Sequence, residues 1–152
     1  MYRRIASALV GLFLVGCAPA PEEPVVEEVV DWSSVILSAN DVLVAQGELD
    51  RVGEFFTEGY GGEGGRERIR SFIAELRRSF PDLEVEVEIL VQDGDRVAWI
   101  RRVRGTHQED YDGIVATGQE VSWRTMVVSR IEDGRIAEET SVSSMNGAMR
   151  SR

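Results

Sequence analysis

His107 is the one histidine of the chain, and imidazole is the side chain that ordinarily changes charge near neutral pH. It can act as a general acid or base, or as an orienting donor. It stands in Gly105-Thr106-His107, at the end of a strand-like run, where an imidazole can also cap the strand or bond a backbone carbonyl. The connection that follows carries Asp110 and Asp112, acids that a loop holds for solubility. Glu139 lies in a later strand-like run and offers a carboxylate if the register turns it inward. Tyr60, Trp99, Trp123 and Met126 are the candidates for lining a pocket around His107 and Glu139, because aromatic rings bury much area and orient flat ligands. Tryptophans in strands serve equally as core or interface residues. A lone imidazole without a second titrating group is weak equipment for catalysis.

Composition removes several chemistries. All 17 basic residues are arginine, which excludes a Schiff-base lysine and a Walker A loop. The formal charge of −10 disfavours nucleic acid, since phosphate binding needs a basic face. One histidine and one cysteine do not make an ordinary zinc site, and no cofactor is implied. Glu84, Glu86 and Glu88 alternate evenly with apolar residues, which is a solvated strand face and not a catalytic pair.

The first residues read as an address. Arg3 and Arg4 precede a short apolar run over 5–15, and Leu14-Val15-Gly16-Cys17 matches a bacterial lipobox. The run is too short to span a bilayer. Residues 1–16 are therefore expected to be a lipoprotein signal peptide. Cys17 becomes a lipid anchor in the cell envelope, on the outer membrane or a periplasm-facing membrane, with the bilayer as partner. Residues 17–30, which include APAPEEPVVEEVV, form an acidic, proline-containing tether.

These residues need a framework, expected over 31–147. Trp32, Val35, Ile36, Ala39, Val42 and Leu43 fall on one helical face, with Asp31 or Ser33 as cap. Leu49, Val52, Phe55 and Phe56 mark a second, shorter helix. The glycine-rich stretch 59–65 is a loop, with Tyr60 and Glu63 as its possible polar lining. Over 66–80, Ile69, Phe72, Ile73, Leu76 and Phe80 form the clearest stripe, stopped by Pro81, with the arginines on the outer face read as solvated charge. Leu83, Val85, Val87, Ile89 and Val91 alternate with the glutamates as a strand that turns at Asp93-Gly94. The run 96–105 has apolar residues on both faces, and so do 121–131; Glu132-Asp133-Gly134 turns the latter into 136–144. The tail beyond Ser144 reads as frayed.

The order strand, GTH, loop with ATG, long strand, EDG turn, strand resembles the second half of the SnoaL-like polyketide cyclase and ester cyclase family of the NTF2-like superfamily. GRERIRSFIAELRRSFPDLEVEVE is similar to that family's long helix, Pro-Asp and strand. The resemblance implies an α+β cone: three N-terminal helices packed on a curved, mostly antiparallel sheet around one apolar pocket. It implies a small-molecule ligand, and pairing through the open sheet face in a homodimer. Cyclases of the family carry an acid on the last strand; Ser141 and Ser144 stand where it is expected. Epoxide hydrolases of the superfamily use an Asp-Arg-Asp set, for which Arg101 or Arg124 offers the arginine. The readings are thus a membrane-anchored domain that binds a small apolar or aromatic molecule with little or no catalysis, an active cyclase, isomerase or epoxide hydrolase, and a dimeric interaction module.

Overall fold

Period-two patterning in the second half of the chain builds a four-stranded antiparallel sheet in the order β1-β2-β3-β4. The computed structural model describes residues 30–150; the expected signal peptide, Cys17 and the tether to residue 29 lie outside the described residues. The strands are β1 (Glu84–Asp93), β2 (Arg96–Thr106), β3 (Glu120–Glu132) and β4 (Arg135–Ser143). Asp133 and Gly134 both have positive φ, 50° and 72°, as the two-residue primed turn between β3 and β4 requires.

Register sorts the side chains. Val85, Val87 and Ile89 pair with Val103, Arg101 and Trp99, which lie opposite Trp123, Thr125 and Val127. On β4, Ser143, Ser141 and Glu139 complete this inner face opposite Thr125, Val127 and Ser129. The outer face carries Arg104 on Glu84 and Arg102 on Glu88, the latter at 2.7 Å, so the glutamate row is solvated and ion-paired. Val91 departs from the expected alternation. The register shifts between Ile89 and Val91, and this bulge turns Val91 outward, 59% exposed.

Three helices cover the inner face. α1 (Ser33–Ala39) starts where the Asp31 carboxylate accepts the Ser33 N–H at 2.9 Å. It continues as π-helical turns over Asn40–Ala45, burying Ile36, Ala39 and Leu43. A 3-10 turn, Leu49–Arg51, leads into α2 (Val52–Phe55). α3 (Gly65–Ser79) buries Ile73 and Leu76 and ends ahead of Phe80 and Pro81. Phe72, expected in the middle of the buried stripe, is 36% exposed, because it faces a cavity. Arg77 is not merely solvated. Its guanidinium donates to the carbonyls of Val44 and Ala45, the latter at 2.7 Å, closing the end of the first helical segment.

Two connections shape the site. The glycine-rich segment forms successive turns beside β4: Thr57 N–H donates to Ile136 and Gly61 N–H to Ala137, each at 3.0 Å. Gly65 has φ +48°, and a Cβ there would meet the Glu58 carbonyl oxygen at 2.1 Å. The β2–β3 connection is pinned to the end of α3. Gln108 N–H donates to the Ser79 carbonyl at 2.9 Å, and Ser79 Oγ donates to the Asp110 carbonyl at 3.2 Å. The tail is not frayed. Residues Met145–Arg150 form α4, beyond the expected boundary at 147, and bury Met145 and Met149.

Candidate functional site

A cavity of about 440 Å³ opens between α3, the inner face of β2–β4 and α4, a size suited to a small organic ligand. Phe72 and Leu76 line it from α3, Trp123 and Val103 from the sheet, Tyr111 from the β2–β3 connection and Met145 from α4. Two arginines, Arg68 and Arg101, and two acids, Asp112 and Glu139, complete the lining. A larger depression, about 570 Å³, lies at one end of β1–β3 among Val85, Val103, Trp123, Glu84, Glu86 and Arg124; Arg102 and Arg104, which also line it, already meet glutamates.

The cavity floor is a polar network set by strand register. Glu139 Oε2 accepts the Tyr60 hydroxyl at 2.8 Å and Oε1 accepts the Ser129 hydroxyl at 2.9 Å. Ser129 Oγ in turn accepts the Trp99 indole N–H at 2.9 Å. Arg101 donates to Asn40 Oδ1 at 3.2 Å, and Asn40 Nδ2 donates to the Ile36 carbonyl at 2.9 Å. The Arg101 guanidinium lies 5.6 Å from the centroid of the Trp99 ring. The helix widens into π turns at Asn40, a feature frequent at functional sites.

Burial sets the protonation of this floor. It pushes the Tyr60 phenol well above its ordinary range, and the negative charge of Glu139 adds to the shift; Tyr60 is a donor at neutral pH. The Tyr111 phenol is pushed up to about 12, again chiefly by burial. Burial pulls Arg101 below the usual guanidinium value, opposed by Glu139; guanidinium nonetheless keeps its proton in proteins.

The expected site residues separate into three groups. Tyr60, Trp123 and Glu139 line the cavity, so the register does turn Glu139 inward. Trp99 is 2% exposed and walls a small adjoining hollow with Asn40 and Arg101. Met126 is 55% exposed on the outer face, opposite Ile100 and Val142, and lines no part of the cavity. It stands three positions after Trp123, an odd offset, and strand side chains alternate. His107 is fully buried, stacked on Phe80 at 5.1 Å between centroids, behind the wall that Trp123 and Tyr111 form. Among the described residues neither of its ring nitrogens has a hydrogen-bond partner. Its backbone closes the neck of the β2–β3 connection, with N–H to the Gln119 carbonyl at 3.0 Å and carbonyl to the Gly118 N–H at 2.8 Å.

Asn40, Ser129 and Phe72 complete the site without having been anticipated. Asn40 does carry a signal: a polar residue in the apolar sector of the first helix, next to Ala39 and Leu43. Arg101, anticipated only as a member of an Asp-Arg-Asp set, lies inside, whereas Arg124 is exposed on the outer face. Among the described residues no group of three or more His, Cys, Asp and Glu side chains is placed to hold a metal ion.

A helix-backed antiparallel sheet with an apolar cavity on its inner face defines an NTF2-like small-molecule domain. The family model described as SnoaL-like polyketide cyclase matches residues 34–151, and the chain belongs to that family. Solved structures agree. A protein from Jannaschia sp. CCS1 assigned as a SnoaL-like polyketide cyclase is 26% identical, with a TM-score of 0.67 over 78% of this chain and 88% of that one. IdmH from Streptomyces antibioticus, assigned as a polyketide cyclase, is 26% identical, with a TM-score of 0.67 over 79% and 96%. A SnoaL-like polyketide cyclase from Agrobacterium tumefaciens is 25% identical, with a TM-score of 0.66 over 75% and 91%. A comparison with curated proteins finds no match.

Proposed function

We propose that this domain binds a small apolar or aromatic molecule in the α3–sheet cavity and does not carry out a cyclisation. One observation carries the reading: both oxygens of Glu139, the carboxylate of the cavity floor, are engaged by Tyr60 and Ser129. An aldol closure needs proton removal at one centre and donation at another. Ser141, at the place expected for the acid of the cyclases, lines the cavity, and a serine hydroxyl does not replace a carboxylate as a base at neutral pH. His107 stands outside the cavity lining. Mass spectrometry of small molecules that co-purify with the protein, together with incubation with keto-ester and epoxide substrates, tests this. A retained apolar or aromatic compound and no turnover are expected. Turnover that falls about a hundredfold in Glu139→Gln, the scale of a lost general acid or base, overturns it.

We also propose that Cys17 carries lipid and holds the domain at the bacterial envelope, on the ordered arginines, apolar run and lipobox. No helix among the described residues is long and apolar enough to cross a membrane. Cys17→Ser should release the protein from membranes; a wild-type protein that starts at Ala18 or later rules the anchor out.

The outer sheet face favours a second role, pairing of two copies. Met126 and Val142 form one exposed row with Ile100, and Val91 and Val128 form the next with Ala98. Sedimentation should show a dimer that Met126→Glu dissociates; a monomeric wild type removes the pairing.

A further inference from the structure

We infer that the molecule taken by the cavity carries a carboxylate on a flat apolar body, and that Arg101 receives it; this rests on the small-molecule reading above. Guanidinium has five N–H donors in a planar fork, and Asn40 takes one of those of Arg101. Among the described residues no carboxylate lies within 4.0 Å of it. Arg102, Arg104 and Arg130, on the outer face, each have a glutamate. The inward arginine does not; Glu139, on the same sheet face, accepts from Tyr60 and Ser129 instead.

A half-buried cation facing a cavity without a direct counter-ion is a poor structural element, since a charge withdrawn from water costs free energy unless it is paired. It is a good receptor. A ligand carboxylate supplies two parallel acceptors to the free edge of the fork, the strong bidentate geometry. The Trp99 ring flanks the guanidinium on one side. The apolar body then lies against Phe72, Leu76, Trp123 and Met145. Arg68 stands at the rim, exposed, 6.0 Å from the Tyr60 ring centroid and bonded to the Gly61 carbonyl; it draws anions toward the mouth. Asp112 and Glu139 oppose the attraction, so the discriminating comparison is between a carboxylate and its neutral amide.

The test measures binding of 2-naphthoate and 2-naphthamide to the protein by tryptophan quenching and calorimetry. Naphthoate should bind about tenfold tighter or better, the scale of hydrogen bonds to a charged group. Arg101→Gln should remove the preference and Arg101→Lys keep part of it. On the wild type, the Arg101 Nε–H resonance should move with naphthoate and stay with naphthamide, which needs no variant to fold. Equal affinity for the two probes overturns the carboxylate inference and leaves the small-molecule reading standing. A preference that survives in Arg101→Gln overturns the assignment to Arg101. Binding of neither probe at millimolar concentration removes both inference and reading.

Discussion

Arg101 and Glu139 share the inner face of the sheet, with opposite charges and one strand between them, yet they form no ion pair. The register explains it. Arg101 lies opposite Thr125, and Glu139 opposite Ser129, one turn of the pleat further along β3 and then another. Each charge is held instead by neutral groups, Asn40 for the guanidinium and Tyr60 with Ser129 for the carboxylate. Both line the cavity.

Tyr60 is the neutral donor whose loss is easiest to read. Tyr60→Phe keeps the edge-to-face contact with Phe56, 4.8 Å between centroids, and removes the hydroxyl from Glu139 Oε2. The variant should lose about 1.5–3 kcal/mol, the worth of a hydrogen bond to a charged acceptor, in urea unfolding followed by circular dichroism. A loss under about 0.5 kcal/mol would mean that water serves Glu139 as well as the phenol does.

α3 separates packing from binding along a single helix. Leu76 is 2% exposed and Phe72 is 36% exposed, though both face the cavity. Leu76→Ala should cost about 2–5 kcal/mol through lost burial and a residual void. Phe72→Ala should cost under about 1.5 kcal/mol and weaken ligand binding more than it weakens the fold. Equal destabilisation by the two would show that Phe72 closes over the core.

Most of this scaffold was legible because its signals are local. Alternation in β1, the Asp133-Gly134 turn and the glycine-rich segment each act through their own backbone chemistry. What escaped depends on partners remote in sequence. The bulge near Leu90 changes side-chain parity with no change in composition, so Val91 read as inward. α4 contains Gly147 and spans 6 residues, too short to hold by propensity; burial of Met145 and Met149 makes it a helix. In the site, residue type favours Met126, although its odd spacing from Trp123 places it on the other face. Arg101 shares parity with Trp99 and Val103, but only the pairing of β2 with both neighbours turns that parity into a position on the cavity floor.

Asp82 makes the acid response of the fold testable. Its carboxylate accepts the Thr106 hydroxyl at 2.6 Å and the Thr106 N–H at 2.8 Å, fixing the end of β2 just ahead of His107. These hydrogen bonds hold its pKa below the ordinary aspartate value. A folded value below the unfolded one, about 3.9, means the contribution is present in full above that pH and is lost as pH falls through the folded value. Asp82→Ala should therefore be less stable than wild type at pH 7, and the gap should narrow below about pH 4. A gap that stays constant from pH 7 to pH 2 would assign the effect to packing and not to the charge.

His107, the histidine to which the sequence points first, is buried and does not line the cavity. Its ring is stacked on Phe80 within the core, and both nitrogens lack partners. A buried polar atom without a hydrogen bond costs about 1–3 kcal/mol, while an aromatic pair contributes about 0.5–1.5 kcal/mol. Leucine removes the two orphan nitrogens and keeps apolar bulk against Phe80. His107→Leu should accordingly match the wild type in stability or exceed it, by up to about 2 kcal/mol, and leave affinity for a cavity ligand unchanged. The measurement is urea unfolding paired with ligand titration of the same preparation. A loss of more than about 1 kcal/mol would reveal a buried water bonded to the imidazole. A tenfold loss of affinity at unchanged stability would instead put His107 in the ligand's reach and return the site to acid–base chemistry.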